Sequence, residues 1–157
     1  MGAMEVRETH YLYPSALYAS RTPTTVSTIL GSCVAVCLWD KELRIGGINH
    51  YMLPLWNGNG LASPKFGNIA IEKLIERMLQ LGSQKKNLVA KVFGGGEVIE
   101  TKSHFHIGTR NIEMAETMLR ELGIAIVAKS VGGPNGRKLE YDTDTGAVRQ
   151  RMIQKTI

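Results

Sequence analysis

Residues 24–39, TTVSTILGSCVAVCLW, and residues 44–53, RIGGINHYML, decide how this chain folds. The first run is extended. Thr24, Thr25, Val26, Val34 and Val36 are β-branched, and from Cys33 onward Val34, Val36 and Leu38 alternate with Ala35, Cys37 and Trp39, the two-residue period of a strand. Gly31 and Ser32 interrupt it. Residues 40–43 make a short polar turn, and Pro54 ends the second run by removing a ladder donor. The two runs form a candidate antiparallel hairpin. With its loop centred between Lys41 and Glu42, Cys33 stands directly opposite His50, with Cβ atoms about 4.5–5.5 Å apart. A slip of one residue would turn His50 to the opposite face.

Downstream of the hairpin the hydrophobic period changes. Ile71, Leu74, Ile75, Met78 and Leu79 recur at helical spacing up to Gly82, and Ile112, Ala115, Leu119 and Leu122 do so up to Gly123. Residues 88–93 read as a strand running into Gly94, Gly95 and Gly96. Residues 124–131, 137–141 and 147–153 read as strands separated by Gly-Gly-Pro-Asn-Gly and Asp-Thr-Asp-Thr-Gly turns. The expected class is mixed α+β, with packed, mainly antiparallel sheets and two covering amphipathic helices.

A chain of 157 residues with 43% hydrophobic content suits a single domain, expected over 5–157, because Met1 to Met4 resemble the remnant of a cleaved tag. The longest apolar runs are strand-sized, far short of the roughly 20 residues a bilayer needs. A soluble, cytoplasmic protein without membrane insertion is expected. The net charge is +5, but Arg137, Lys138, Arg149, Arg151 and Lys155 are interleaved with Glu140, Asp142 and Asp144. That pattern suits a mixed solvated face better than a nucleic-acid surface, which would also want stacking aromatics.

The only cysteines, Cys33 and Cys37, lie about 13 Å apart if they share a strand, beyond disulfide reach. Cys37, on an apolar strand, reads as core packing. Cys33 facing His50 could form a thiolate–imidazolium pair, which supplies both a nucleophile and a proton donor. The alternative is a small buried hydrophobe beside a satisfied histidine. Zinc ligation by Cys33, Cys37, His50, His104 and His106 is a further alternative, but there is no Cys-x-x-Cys pair, and His104 and His106 fit a solvent-facing loop. No metal or cofactor is expected. Gly-Gly-Gly-Glu lacks the ending of a phosphate loop, so close backbone approach explains those glycines better.

Leu30-Gly31-Ser32-Cys33-Val34 and His50-Tyr51-Met52-Leu53-Pro54 resemble the two signature segments of the CheD chemoreceptor glutamine deamidases. Lys91-Val92-Phe93-Gly94-Gly95-Gly96, Ile107-Gly108-Thr109-Arg110-Asn111 and Val131-Gly132-Gly133 resemble later segments of that family, in the same order. The resemblance implies a fold like the deamidase domain of cytotoxic necrotizing factor toxins and a Cys, His and Thr catalytic set, onto which Cys33 and His50 map. Six residues before the cysteine, at the family's threonine position, stands Ser27, with Thr28 beside it. Ser27 takes the orienting role in this reading, because adjacent strand residues face opposite ways and Thr28 could replace it only through a bulge.

The implied activity is hydrolysis of glutamine side-chain amides in the cytoplasmic domain of methyl-accepting chemotaxis receptors, through a Cys33 thioester. Acidic receptor helices would suit the positive chain. The resemblance also implies a CheC phosphatase partner. The rival readings are an adaptor acting chiefly on CheC, or another acyl transfer such as receptor methylesterase, transglutaminase or protease activity.

Overall fold

The computed structural model describes residues 7–97 and 106–154. In chain order the elements are β1 (Glu8–Tyr11), β2 (Leu17–Ser20), β3 (Thr24–Leu30), β4 (Val34–Asp40), β5 (Ile45–Asn49), α1 (Gly67–Gln80), β6 (Leu88–Gly94), α2 (Ile107–Glu121), β7 (Ala125–Val131), β8 (Gly136–Asp142) and β9 (Val148–Ile153). They build a four-stranded sheet, β1-β3-β8-β9, and a five-stranded sheet, β2-β5-β4-β6-β7. Pairing is antiparallel except for β1 with β3 and β6 with β7. The parallel β6–β7 pair is bridged by α2, since parallel neighbours need a crossover.

The α+β class is borne out, and the alternation along β4 explains the layering. Val34, Val36 and Leu38 pack with Ile71, Leu74, Met78, Ala115 and Leu119 of the two helices. Ala35 and Cys37 point the other way, into a second core with Val26 and Leu30 of β3, Ile48, Phe93, Leu139 and Tyr141. Both helices therefore cover one face of the five-stranded sheet while the four-stranded sheet covers the other. Burying each such aliphatic side chain contributes roughly 1.5–3 kcal/mol.

Both helices end where glycine predicts. Gly82 and Gly123 have φ of 109° and 73°, and the next residues reach back, Ser83 N–H to Met78 O and Ile124 N–H to Leu119 O. These are Schellman closures. α2 begins at Ile107, five residues before its first apolar marker, Ile112. Two edge strands, β1 and β2, were not anticipated; their residues are exposed or half-buried and carry no clean period.

The residues 24–39 are not one strand of one sheet. β3 belongs to the four-stranded sheet and β4 to the five-stranded sheet, so Gly31, Ser32 and Cys33 form the corner between layers. The hairpin register also differs from expectation. Cys37 pairs with Ile48, Leu38 with Gly47 and Val34 with Tyr51, centring the loop between Glu42 and Leu43. Asp40 causes the displacement: its Oδ1 accepts the N–H groups of Glu42 and Leu43 at 2.9 and 3.0 Å, and Arg44 closes the loop at φ 55°. Met52, not His50, is thus level with Cys33. The shift is two pairing positions, so facing is preserved.

Among the clustered charges, Lys138, Glu140, Arg149 and Arg151 are exposed as expected, and Lys155 lies outside the described residues. Arg137 departs from that expectation. It is buried in the face that looks between the sheets, level with Leu30, and donates to the Ser130 and Gly132 carbonyls. It ties the sheets together at the end where Cys33 turns the corner.

Candidate active site

Cys33 and His50 share the face that looks between the sheets, as diagonal neighbours. Such positions lie about 7–8 Å apart, within reach of an aromatic side chain. The β4–β5 ladder opens at this point because the Asn49 side chain, rather than its backbone, takes the Val36 N–H at 2.9 Å. His50 is held instead from its other edge: its N–H donates to Ala16 O, and its carbonyl accepts from the Ser15 N–H at 2.8 Å. Tyr51 then returns to β4 through two backbone hydrogen bonds with Val34.

The hydroxyl that meets the imidazole is that of Thr28, and Ser27 does not reach it. Thr28 is fully buried, and its Oγ1 lies 2.7 Å from His50 Nδ1. The burial of β3 alternates with Val26, Thr28 and Leu30 inward and Ser27 and Ile29 outward, so no bulge is needed. The orienting position expected at Ser27 is corrected on this ground. The signal was present in the sequence: Thr28 has the parity of the apolar Val26 and Leu30.

Hydrogen-bond bookkeeping defines the tautomer. Thr28 donates its only hydroxyl proton to the Leu12 carbonyl at 2.8 Å, so it accepts from His50, and Nδ1 carries the hydrogen. Nε2 is then an unprotonated lone pair. It is buried and has no hydrogen-bond partner among the described residues.

Burial pushes the Cys33 thiol above its ordinary range, partly offset by its own backbone N–H, and lowers His50 to about 4. Desolvation thus disfavours each charged form. Both shifts favour a neutral thiol and a neutral imidazole over the thiolate–imidazolium pair expected from spacing. Cys37 differs from Cys33 in access. It is buried in the core between the sheets, and burial raises its thiol far more, in keeping with a packing role. Both cysteines are free.

The glycine triplet supports the corner. Gly95 N–H donates to Cys33 O at 2.9 Å and Gly96 N–H to Gly31 O at 3.0 Å. Gly94 has φ 108°, and a Cβ there would stand 2.2 Å from Cys33 O. Close backbone approach is therefore the reason for the glycine at 94.

Comparison with known proteins places the chain in a family. The family model described as "CheD chemotactic sensory transduction" matches residues 52–152. A protein of Trichlorobacter lovleyi named "Probable chemoreceptor glutamine deamidase CheD" is 52% identical over 140 residues, covering 88% of this chain and 87% of its own. A namesake from Sulfurimonas denitrificans is 46% identical, covering 95% and 97%, and one from Rhodospirillum rubrum 42%, covering 94% and 84%. The chain belongs to the CheD family.

In this CheD chain, sequence reasoning missed one polar residue that joins the site's segments. Asn111, fully buried in α2, donates from Nδ2 to the carbonyls of Ser32 and Met52, each at 3.0 Å. Its own carbonyl accepts the Tyr51 hydroxyl. Asn111 stood within the fourth quoted segment, four and eight residues before Ala115 and Leu119 on the inward face of α2, but helical spacing does not show which carbonyls it meets. His106 precedes α2 in the left-handed region and is exposed, as a solvent-facing loop residue should be. His104 lies outside the described residues. Among the described residues, no helix is long and apolar enough to cross a membrane.

Proposed function

We propose that this chain hydrolyses glutamine side-chain amides in the cytoplasmic part of chemoreceptors, as a protein-glutamine glutaminase working in the cytoplasm. Cys33 is the nucleophile, His50 the base and then the acid, and Thr28 the residue that orients the imidazole. The activity named for relatives that align along nearly the whole chain supports the reaction. One observation carries the assignment of roles: His50 is anchored through Nδ1 to Thr28, while its buried Nε2 stays unpartnered on the face it shares with Cys33.

The chemistry follows from these protonation states. Nε2 takes the Cys33 proton as Sγ bonds to the amide carbon and the carbonyl π pair moves to oxygen. The oxyanion needs donors. Among the described residues the Ser32 and Cys33 amides donate to no other group, and the Cys33 N–H lies beside its own Sγ. As the C–N bond breaks, His50 returns its proton to the departing ammonia, leaving a thioester. Neutral His50 then activates water, the C–S bond breaks, and glutamate and thiol are released. Thr28 stabilises the transient imidazolium because it accepts from Nδ1–H in either state.

Ammonia release from a glutamine-bearing receptor cytoplasmic fragment tests the proposal. Release with an amide-to-acid mass change, lost in Cys33→Ala, supports it; methanol or amine incorporation in place of ammonia would favour another acyl transfer. Association with a CheC phosphatase, implied by the family resemblance, belongs to the same proposal. Co-purification with such a protein tests it.

A further inference from the structure

The Ser32 carbonyl and the Cys33 N–H belong to one planar peptide unit and point in opposite directions. Whatever grips that carbonyl therefore aims that N–H. Asn111 Nδ2 grips it at 3.0 Å and, with its second hydrogen, holds the Met52 carbonyl at the same distance. Both partners are carbonyl oxygens, so only the amide's NH₂ can face them, and its orientation is determined by chemistry. Its Oδ1 is left buried and unpartnered, a cost the site carries to keep both bonds.

We propose that Asn111 is the positioning residue of the oxyanion-binding amide. By fixing the Ser32–Cys33 peptide plane it directs the Cys33 N–H at the oxygen that becomes negative when Sγ adds to the carbonyl. A hydrogen bond to the carbonyl end also polarises the amide and strengthens its N–H as a donor. The grip on Met52, two residues beyond His50, holds the base's strand against the same peptide. This inference rests on the deamidase reading and adds to it the residue through which α2 controls the corner at Cys33.

Two reactions of Cys33 separate this role from general support. Deamidation builds an oxyanion. Alkylation by iodoacetamide displaces iodide at a saturated carbon and builds none, yet it needs the same accessible thiol. Wild type and Asn111→Leu are compared in three measurements: kcat and KM for ammonia release from a glutamine-bearing receptor fragment, the Cys33 alkylation rate across pH in a Cys37→Ala background, and thermal unfolding. The expected result is a kcat about tenfold to a hundredfold lower, approaching the loss of one oxyanion donor, with KM and the alkylation profile unchanged.

The near-isosteric Asn111→Asp covers the case in which Leu prevents folding. Its carboxyl donates one hydrogen bond only when protonated, so its kcat relative to wild type should recover as pH falls. An alkylation rate that drops in parallel with kcat, or a kcat unchanged in both variants, would overturn the proposal. Wild type that releases no ammonia while alkylating normally would instead overturn the deamidase reading, and this inference with it.

Discussion

Replacing Thr28 with valine keeps the shape of a fully buried side chain and removes one oxygen. Two groups lose their partner together: His50 Nδ1–H, now 2.7 Å from Oγ1, and the Leu12 carbonyl, now accepting at 2.8 Å. Each buried group left unsatisfied costs about 1–3 kcal/mol, so the fold should lose about 2–6 kcal/mol. For a domain of this size that corresponds to a Tm roughly 4–24 °C lower. The same 1–3 kcal/mol, lost from the orientation and tautomer of the base, should lower kcat about 5-fold to 150-fold. Ser27→Ala, on the outward parity of β3, should change stability by less than about 0.5 kcal/mol and kcat by no more than about twofold. The assay is ammonia release from a glutamine-bearing receptor fragment at saturating substrate, with thermal unfolding in parallel. A Thr28→Val variant as active as wild type, or a Ser27→Ala variant equally impaired, would refute the assignment of the orienting hydroxyl.

Because burial lowers His50 from an ordinary 6.5 to about 4, the acid limb of kcat/KM should fall near pH 4, not near 6.5. The unfolded chain binds a proton at His50 below pH 6.5 that the folded chain refuses down to about 4, so stability should drop across that window by up to about 3 kcal/mol. Unfolding of His50→Asn should lack this component. Gly94→Ala should displace the corner, since a Cβ there would meet Cys33 O at 2.2 Å. An overpacking cost of about 1–3 kcal/mol, with kcat largely lost although Cys33 and His50 are retained, is expected from calorimetry and the ammonia assay.

Most of the architecture was legible because periodicity reports burial. The two faces of β4 and the glycines after both helices follow from residue type and spacing. β1 and β2 were not legible because short, exposed edge strands impose no pattern on their side chains. The hairpin register was misplaced by two pairing positions because an aspartate side chain, invisible to a count of loop residues, caps the turn. A two-position shift preserves facing, which is why Cys33 and His50 still share one face. For the third group, proximity to the family's threonine position outweighed the strand parity that marks Thr28 as inward. Asn111 acts through contacts made only after α2 packs on the sheet, and no local pattern announces them.

The account depends most on a covalent step at Cys33. An acid quench of wild-type protein turning over a glutamine-bearing receptor fragment, followed by peptide mapping, tests it directly. The predicted result is a receptor peptide joined through a glutamyl thioester to the Cys33 peptide, cleaved by hydroxylamine and absent in Cys33→Ala. Amide hydrolysis that persists undiminished in Cys33→Ala, with no adduct on Cys33 in wild type, would contradict it.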